Sequence, residues 1–475
     1  MVKSMTFEKL ERIFMKTVAF HTLGCKVNTY ETEAMQQLME AAGYRCVDFS
    51  EKADVYIINT CSVTNIADRK SRQMLHRARK MNEDAIVVAA GCYVESAKEK
   101  IDEDLSIDII VGNNNKNEIV NIINEYLQDK NENRFIIDIN RNTEYEEFNI
   151  SKINDHTRAF IKVQDGCNQF CSYCIIPFTR GRVRSRKMEN IIEEVKKLAS
   201  SGYKEVVLTG IHLSSYGVDF LDESYNKRME LLTQTEESDE EFVTKNELLK
   251  LIENIAKVDG IERIRIGSLE PRIIKEGFIK SLSEINKFCP HFHLSLQSGC
   301  DKTLKSMNRK YTASEFYEGV ELIRKYFDSP AITTDIIVGF PGESERDFEE
   351  SKAFVEKVKF YETHIFPYSV REGTKAAHMP QVDGNEKAKR ANILNEINLA
   401  NQREFRSQRI TKVDEVLCEE TFTLDGKEYY TGYTKEYVKI AVLKDGLNTN
   451  DIIKGKIARF LTDDILLMEK EQNNV

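Results

Sequence analysis

No apolar run in the 475 residues approaches the roughly 18 to 20 that a membrane-spanning helix needs. The opening, MVKSMTFEKLERIFMKTVAF, lacks the basic-then-apolar order of a secretory signal. Met15 directly precedes the first strand-like run, so the fourteen residues before it read as an extension of the folded chain. Ten cysteines without such a signal point away from a disulfide scaffold and toward reduced cytosolic thiols, used as metal ligands or core filler. No phosphate loop competes for the chemistry, because GFPGE (339–343) is not followed by Lys-Ser or Lys-Thr. A fourth cysteine is missing too. GCNQFCSYC holds Cys167, Cys171 and Cys174, and none follows until Cys289. Zinc and ordinary iron-sulfur sites take four protein ligands, so this loop leaves one metal position for something else.

A composition of 41% hydrophobic and 31% charged residues describes a soluble globular protein of two to four domains. The net charge of −10 is unevenly spread. Between Asp219 and Glu247 ten acids face three bases, which reads as a solvated insertion. Against it stand two basic clusters, each following a candidate ligand cysteine. DRKSRQMLHRARK (68–80) carries six Lys and Arg, and TRGRVRSRK (179–187) carries Arg180, Arg182, Arg184, Arg186 and Lys187. The second suits RNA phosphate, although an ordinary surface face has the same appearance.

From about residue 15 to 125, apolar runs alternate with helical ones, which predicts a parallel sheet with helices on its faces. Three of its strands end in cysteine: Cys25 after HTLG, Cys61 after VYIINT and Cys92 after VVAAG. Strand C-termini of an open parallel sheet share one edge, where such folds bind ligands. One such cysteine is ordinary core filler; three at equivalent positions are a ligand set. Cys46, Cys289, Cys300 and Cys418 read as packing residues.

A second alternation, from about Asn154 to Met379, offers six strand candidates. Six βα units are too few for a closed eight-stranded barrel and predict an open partial one. Polar and glycine-rich residues gather after its strands. Thr209, Gly210, Ser268, Glu270, Gln297, Ser298 and Asp335 are therefore candidates to line a cofactor pocket, with capping or turn roles as the equal alternative. From about Thr411, short strand-like runs punctuated by Asp425-Gly426 and Asp445-Gly446 read as a small β domain. From Lys412 onward it carries thirteen acids against nine bases.

Cys167-x3-Cys171-x2-Cys174 at the end of a partial barrel's first strand resembles the cluster loop of the radical S-adenosylmethionine (SAM) superfamily. FHTLGCKVNTYETE, VYIINTCSVT, AAGCY, VQDGCNQFCSYCIIPFTRGRVRSR, LQSG and DIIVGFPGE, in this order, resemble the methylthiotransferases across nearly the whole chain. The resemblance implies an α/β chain in four parts: residues 15–128 with an auxiliary [4Fe-4S] cluster on Cys25, Cys61 and Cys92; a partial (β/α)6 radical-SAM barrel over 153–383; a helical connector over 384–410; and a TRAM-like β-barrel over 411–472. It implies that Cys167, Cys171 and Cys174 hold a second [4Fe-4S] cluster whose fourth iron binds SAM. It further implies a low-potential electron donor and a sulfur source. HTLGCKVN resembles the branch that methylthiolates N6-threonylcarbamoyladenosine in the tRNA anticodon stem-loop, as against branches acting on isopentenyladenosine or on a ribosomal protein. A non-catalytic iron-sulfur sensor has no use for an unfilled iron beside a SAM-shaped barrel.

Overall fold

The computed structural model describes residues 16–97, 99–141, 144–148, 157–220 and 238–470, leaving the N-terminal extension and much of the acidic insertion outside. Two compact units emerge. The first joins Met1–Ile150, Gln164–Arg186 and Ser369–Ala377; the second joins Ser151–Val163, Lys187–Tyr368 and His378–Val475. The three-cysteine loop thus belongs with the N-terminal residues, a grouping that boundaries drawn along the chain do not give.

The first unit alternates β1 (Thr17–Thr22), α1 (Lys26–Ala41), β2 (Arg45–Val47), β3 (Val55–Thr60), α2 (Asn65–Met81), β4 (Ile86–Gly91), α3 (Cys92–Ala97), β5 (Ile109–Val111), α4 (Ile119–Gln128) and β6 (Arg134–Phe135). The strands form one parallel sheet in the order β2-β1-β3-β4-β5-β6. All six residues of β3 are buried, as expected of a parallel strand covered on both faces. Val55 and Ile57 join Met35, Met39 and Ile122 in one core, while Tyr56 and Ile58 join Leu75 and Val94 in the other. Met35 and Met39 are fully buried, each contributing about 1.5–3 kcal/mol. The Thr64 hydroxyl caps α2 by accepting from the Ala67 amide at 3.1 Å, which fixes where the helix leaves the Cys61 loop.

The second alternation gives all six expected strands: β7 (Arg158–Asp165), β9 (Glu205–Gly210), β10 (Arg263–Ile266), β11 (His291–Gln297), β12 (Ala331–Val338) and β13 (Glu362–Pro367), with the two-residue β8 (Arg184–Ser185) after the cysteine loop. β10-β9-β7 and β11-β12-β13 form two sheets, and bridges at Ile264–Phe288 and Leu269–Leu294 join them. Strand order therefore follows chain order, as in a partial barrel. After the helix α5 (Gly384–Ser407), β14 (Val413–Leu424), β15 (Lys427–Tyr433), β16 (Lys439–Leu443), β17 (Ile452–Phe460) and β18 (Leu466–Lys470) close a barrel in the order β14-β15-β16-β18-β17. Asp425 and Gly426, both at positive φ, make the β14–β15 turn, as an Asp-Gly pair should.

This small barrel seals the N-terminal ends of the partial barrel's strands. Arg265 donates to the Thr434 and Lys435 carbonyls at 3.1 and 2.8 Å, and Arg263 donates to the Tyr433 carbonyl at 2.8 Å. Arg265 also pairs with the buried Glu205 at 2.8 Å, and Tyr437 stacks on His291 at 4.8 Å. Among the described residues no helix is long and apolar enough to cross a membrane.

Candidate functional site

β1, β3 and β4 are consecutive neighbours in the first unit's sheet, so Cys25, Cys61 and Cys92 follow three adjacent strand ends. Two glycines let their loops approach. A Cβ on Gly24 would meet Cys61 Sγ at 2.9 Å, and one on Gly91 would meet the Thr60 carbonyl at 2.8 Å; both residues sit at positive φ, where only glycine is relaxed. Asn28 on α1 braces the set, donating to the Leu23 and Thr60 carbonyls at 2.6 and 3.0 Å. The Ser71 hydroxyl donates to the Cys61 carbonyl at 3.1 Å, and the Asn113 amide lies 3.6 Å from Cys92 Sγ.

Burial pushes the Cys61 thiol up to about 12. Solvent reaches Cys25, yet the crowded surroundings raise its thiol as well, opposed first by Arg180 and then by Asn28. Without a metal these sulfurs keep their protons; a bound metal makes thiolates of them. Three uncrosslinked thiols on one sheet edge fit a cluster with one iron left open.

The loop of Cys167, Cys171 and Cys174 is pinned by its own turn geometry. The Cys167 amide donates to the Gly181 carbonyl and the Cys174 amide to the Cys171 carbonyl, both at 3.0 Å. A Cβ on Gly166 would overlap the Arg182 carbonyl. The arginines after the loop do not form the solvated phosphate-binding run expected from sequence. Arg180, Arg184 and Arg186 are buried, each spent on protein acceptors, and only Arg182 and Lys187 of the run reach solvent.

Arg180 donates to Glu31 at 2.9 and 3.1 Å, to Asp165 at 3.0 and 3.1 Å and to Asn28 Oδ1 at 2.6 Å. Lys116 pairs with the same Glu31, and Arg184 lies 3.9 Å from Asp165. Arg186 reaches Glu147 at 2.7 Å and the Phe148 carbonyl at 3.0 Å. Burial opposes the charge of Arg180, but Asp165, Cys92 and Glu31 outweigh it and hold the guanidinium protonated. Lys116, Arg180 and Arg184 thus set three cations against Glu31 and Asp165, an excess of positive charge beside sulfurs that become anionic with metal. The Asn113 amide that faces Cys92 also donates to the Thr179 carbonyl at 2.8 Å, tying the residue before Arg180 to the first cysteine set.

Ser369–Ala377 forms a strap across both loops. Arg371 donates to the Ser62 hydroxyl at 3.0 Å, Asn65 Oδ1 at 2.9 Å and Asp68 at 2.6 Å, while the Ala376 amide donates to the Ser172 carbonyl at 2.7 Å.

The candidate pocket residues lie at or just after the second unit's strand ends, except Asp335, which sits mid-strand in β12. Thr209 and Ser298 are buried, and the Ser298 hydroxyl accepts from the Cys300 amide at 3.2 Å, a turn role. Gln297 sits at φ 72 beside it. The buried Glu270 carboxylate is held by Arg272 at 2.8 and 3.1 Å. Gly210, Ser268 and Asp335 keep some exposure. Asp335 meets a residue that the sequence reading missed, His293, at 3.3 Å, with His364 close by on β13. Alternation along β11, β12 and β13 puts all three on one face. His212, after β9, is half-buried with its ring enclosed, and desolvation lowers its pKa to about 4.

Comparison with known proteins returns two family models: the radical SAM superfamily over residues 161–355 and an uncharacterized protein family, UPF0004, over 17–112. The chain is 41% identical over 447 residues to threonylcarbamoyladenosine tRNA methylthiotransferase MtaB of Bacillus subtilis, covering 94% of this chain and 93% of that protein. It is 40% identical to the protein of the same name from Aquifex aeolicus, covering 82% and 89%. Identity is 38% to a tRNA-2-methylthio-N(6)-dimethylallyladenosine synthase of Thermoanaerobacter, covering 85% and 83%. Among solved structures, the radical SAM methyltransferase TsrM of Kitasatospora setae aligns with a TM-score of 0.49 at 14% identity over 77% of each chain.

Proposed function

Because the chain belongs to the radical-SAM methylthiotransferase family, we propose that it methylthiolates C2 of N6-threonylcarbamoyladenosine at position 37 of tRNA. The relatives named for that nucleoside support the substrate, as does the HTLGCKVN stretch around Cys25. The observation that carries the reading is the gathering of two cysteine triplets into one compact unit, with Asn28, Asn113 and Arg180 running between them.

In this reading Cys167, Cys171 and Cys174 hold the cluster that binds SAM, and Cys25, Cys61 and Cys92 hold the cluster that carries sulfur. When bound, these groups and SAM supply the sulfur, the methyl group and the radical that activates the adenine carbon. The chain's own work is positioning. Gly24 and Gly91 admit the first cluster's loops, Arg180 fixes the second loop against α1, and the Ser369–Ala377 strap holds Ser62 and Ser172 at a set separation. Gly210, Ser268 and Asp335 are the cofactor-pocket candidates on the second unit that keep exposure. A low-potential electron donor and a sulfur source come from outside the chain.

The test is nucleoside mass spectrometry of tRNA from a deletion strain. Methylthiolated threonylcarbamoyladenosine should vanish, return with the unmutated gene and stay absent with Cys25→Ala. Offered in parallel threonylcarbamoyladenosine tRNA, isopentenyladenosine tRNA and ribosomal protein, the purified enzyme should add a methylthio mass to the first. Modification of the ribosomal protein instead would overturn the RNA reading; modification of the isopentenyl tRNA would correct only the branch.

A further inference from the structure

With Arg180, Arg184 and Arg186 buried, the run after the second cysteine loop does not supply the first unit's phosphate contacts. The helix α2 offers them. It begins four residues after Cys61 and holds six Lys and Arg against a single acid, Asp68, whose charge Arg371 already answers at 2.6 Å. Its inward face is small and apolar, consisting of Ser71, Leu75 and Ala78. The opposite face presents Arg69, Lys70, Arg72, Arg77 and Lys80 to solvent. Arg79 alone turns inward, to Asp108 and to the Glu83 and Ala85 carbonyls. Arg72 and Arg77 lean on the rings of Tyr93 and Phe49, each 5.8 Å from the centroid, which orients their charge without neutralising it. Seventeen residues extend this basic face over about 25 Å.

The two cysteine loops add a different surface. After Cys61, Val63 and Ile66 are 52% and 58% exposed. On the other loop, Phe178 is 47% exposed, meets Phe170 edge-on at 6.0 Å, and the exposed Arg182 lies over Phe170 at 4.4 Å. An exposed ring beside a half-buried one that carries a stacked guanidinium is a surface on which unpaired RNA bases dock. Large apolar groups left in water are otherwise costly.

We propose that α2 grips the phosphates of the anticodon stem-loop while the Phe170–Phe178–Arg182 platform receives bases splayed from the loop. The proposal rests on the tRNA reading above and assigns the RNA-facing surface of the first unit. It is a docking surface for a polyanion with flippable bases, formed by a helix whose N-terminal end is one of the cysteine loops.

The experiment measures binding of an anticodon stem-loop, with and without threonylcarbamoyladenosine, to the reconstituted full-length protein across a series of salt concentrations. Arg69→Ala/Lys70→Ala/Lys80→Ala should make the log affinity–log salt slope shallower by roughly 2, at about 0.7–0.9 for each phosphate no longer neutralised. Iron content and melting temperature should hold, since these side chains point into water. Phe178→Ala should weaken binding about 10-fold with the slope unchanged, because stacking carries little salt dependence. Lys352→Ala, on the second unit, should change neither. An unchanged slope in the triple variant overturns the proposal while leaving the substrate reading intact. No binding of either stem-loop by the unmutated protein sinks the tRNA reading itself. If the triple variant keeps its RNA affinity and slope but loses reduction by a flavoprotein donor, α2 serves an acidic reductase and the proposal falls.

Discussion

Replacing Arg180 by methionine removes a side chain that contacts α1 and Asp165 together while roughly keeping its volume. Glu31 keeps its ion pair with Lys116, and Asp165 keeps the Gly166 amide at 2.8 Å and Arg184 at 3.9 Å. Both carboxylates are almost fully buried, so neither can recover its solvation from water. Breaking a buried pair by deleting one partner costs about 3–5 kcal/mol, against about 0–1 kcal/mol for an exposed pair such as Lys197–Glu193. At roughly 2–4 °C per kcal/mol for a domain of this size, the first unit should melt some 6 to 20 °C lower. Arg180→Lys should recover only part of this, since an ammonium keeps the charge but cannot bridge Glu31, Asp165 and Asn28 in one plane. Thermal unfolding of the metal-free protein, followed by near-ultraviolet circular dichroism, gives the comparison with Lys197→Ala. Equal small shifts for Arg180→Met and Lys197→Ala would refute the buried network. A normal melt combined with loss of one cluster on reconstitution would move the role of Arg180 from folding to cluster retention.

Anaerobically reconstituted protein should carry two four-iron clusters, and alanine at Cys167, Cys171 and Cys174 should leave one; a single cluster in the unmutated protein ends the two-site mechanism. Alanine at Cys25, Cys61 and Cys92 should spare reductive cleavage of SAM and abolish sulfur insertion, and the reverse pattern would exchange the roles. Gly24→Ala should block the first cluster by forcing a Cβ to 2.9 Å from Cys61 Sγ, read as the iron content of a variant that already lacks the second triplet. His212, with its folded pKa near 4 below the unfolded value near 6.5, stays neutral in the fold. Its contribution is complete above pH 6.5 and is lost as pH falls toward 4, by at most about 3 kcal/mol. His212→Asn should flatten that part of the stability–pH curve, and parallel curves would contradict the assignment.

The strands were legible because buried parallel strands are short apolar runs, and Cys25, Cys61 and Cys92 stood out because each closed one. That β1, β3 and β4 are neighbours was not legible, since sheet order depends on long-range packing. The arginines misled for a related reason. TRGRVRSR resembles a solvated charge run, yet the partners of Arg180 lie as far as 152 positions away, at Asn28. A signal did exist: Glu31 falls on the same helical face as Val27, Ala34 and Met35, and an acid on a buried face demands a cation. His293 and His364 could also have been found by extending the two-residue alternation of HFH across β12 and β13. The Ser369–Ala377 strap carried no such clue, because its partners Ser62, Asn65 and Asp68 sit some three hundred positions earlier.

That discontinuity constrains how a cell can make this protein. Cys25, Cys61 and Cys92 leave the ribosome early, but Arg180 arrives later and the strap that braces Ser62 comes later still, up to Ala377. At about 5–20 residues per second, the interval between Cys92 and Ala377 lasts roughly 15–60 s. Early in it the first three thiols lack both the Arg180 guanidinium and the strap, and for the remainder they lack the strap. The nascent chain therefore passes through a window in which three cysteines at adjacent strand ends are present before the strap that braces Ser62. Translation speed, thiol-reducing capacity and the supply of iron-sulfur carriers should then set how much active protein a culture yields, more than the stability of the completed fold does.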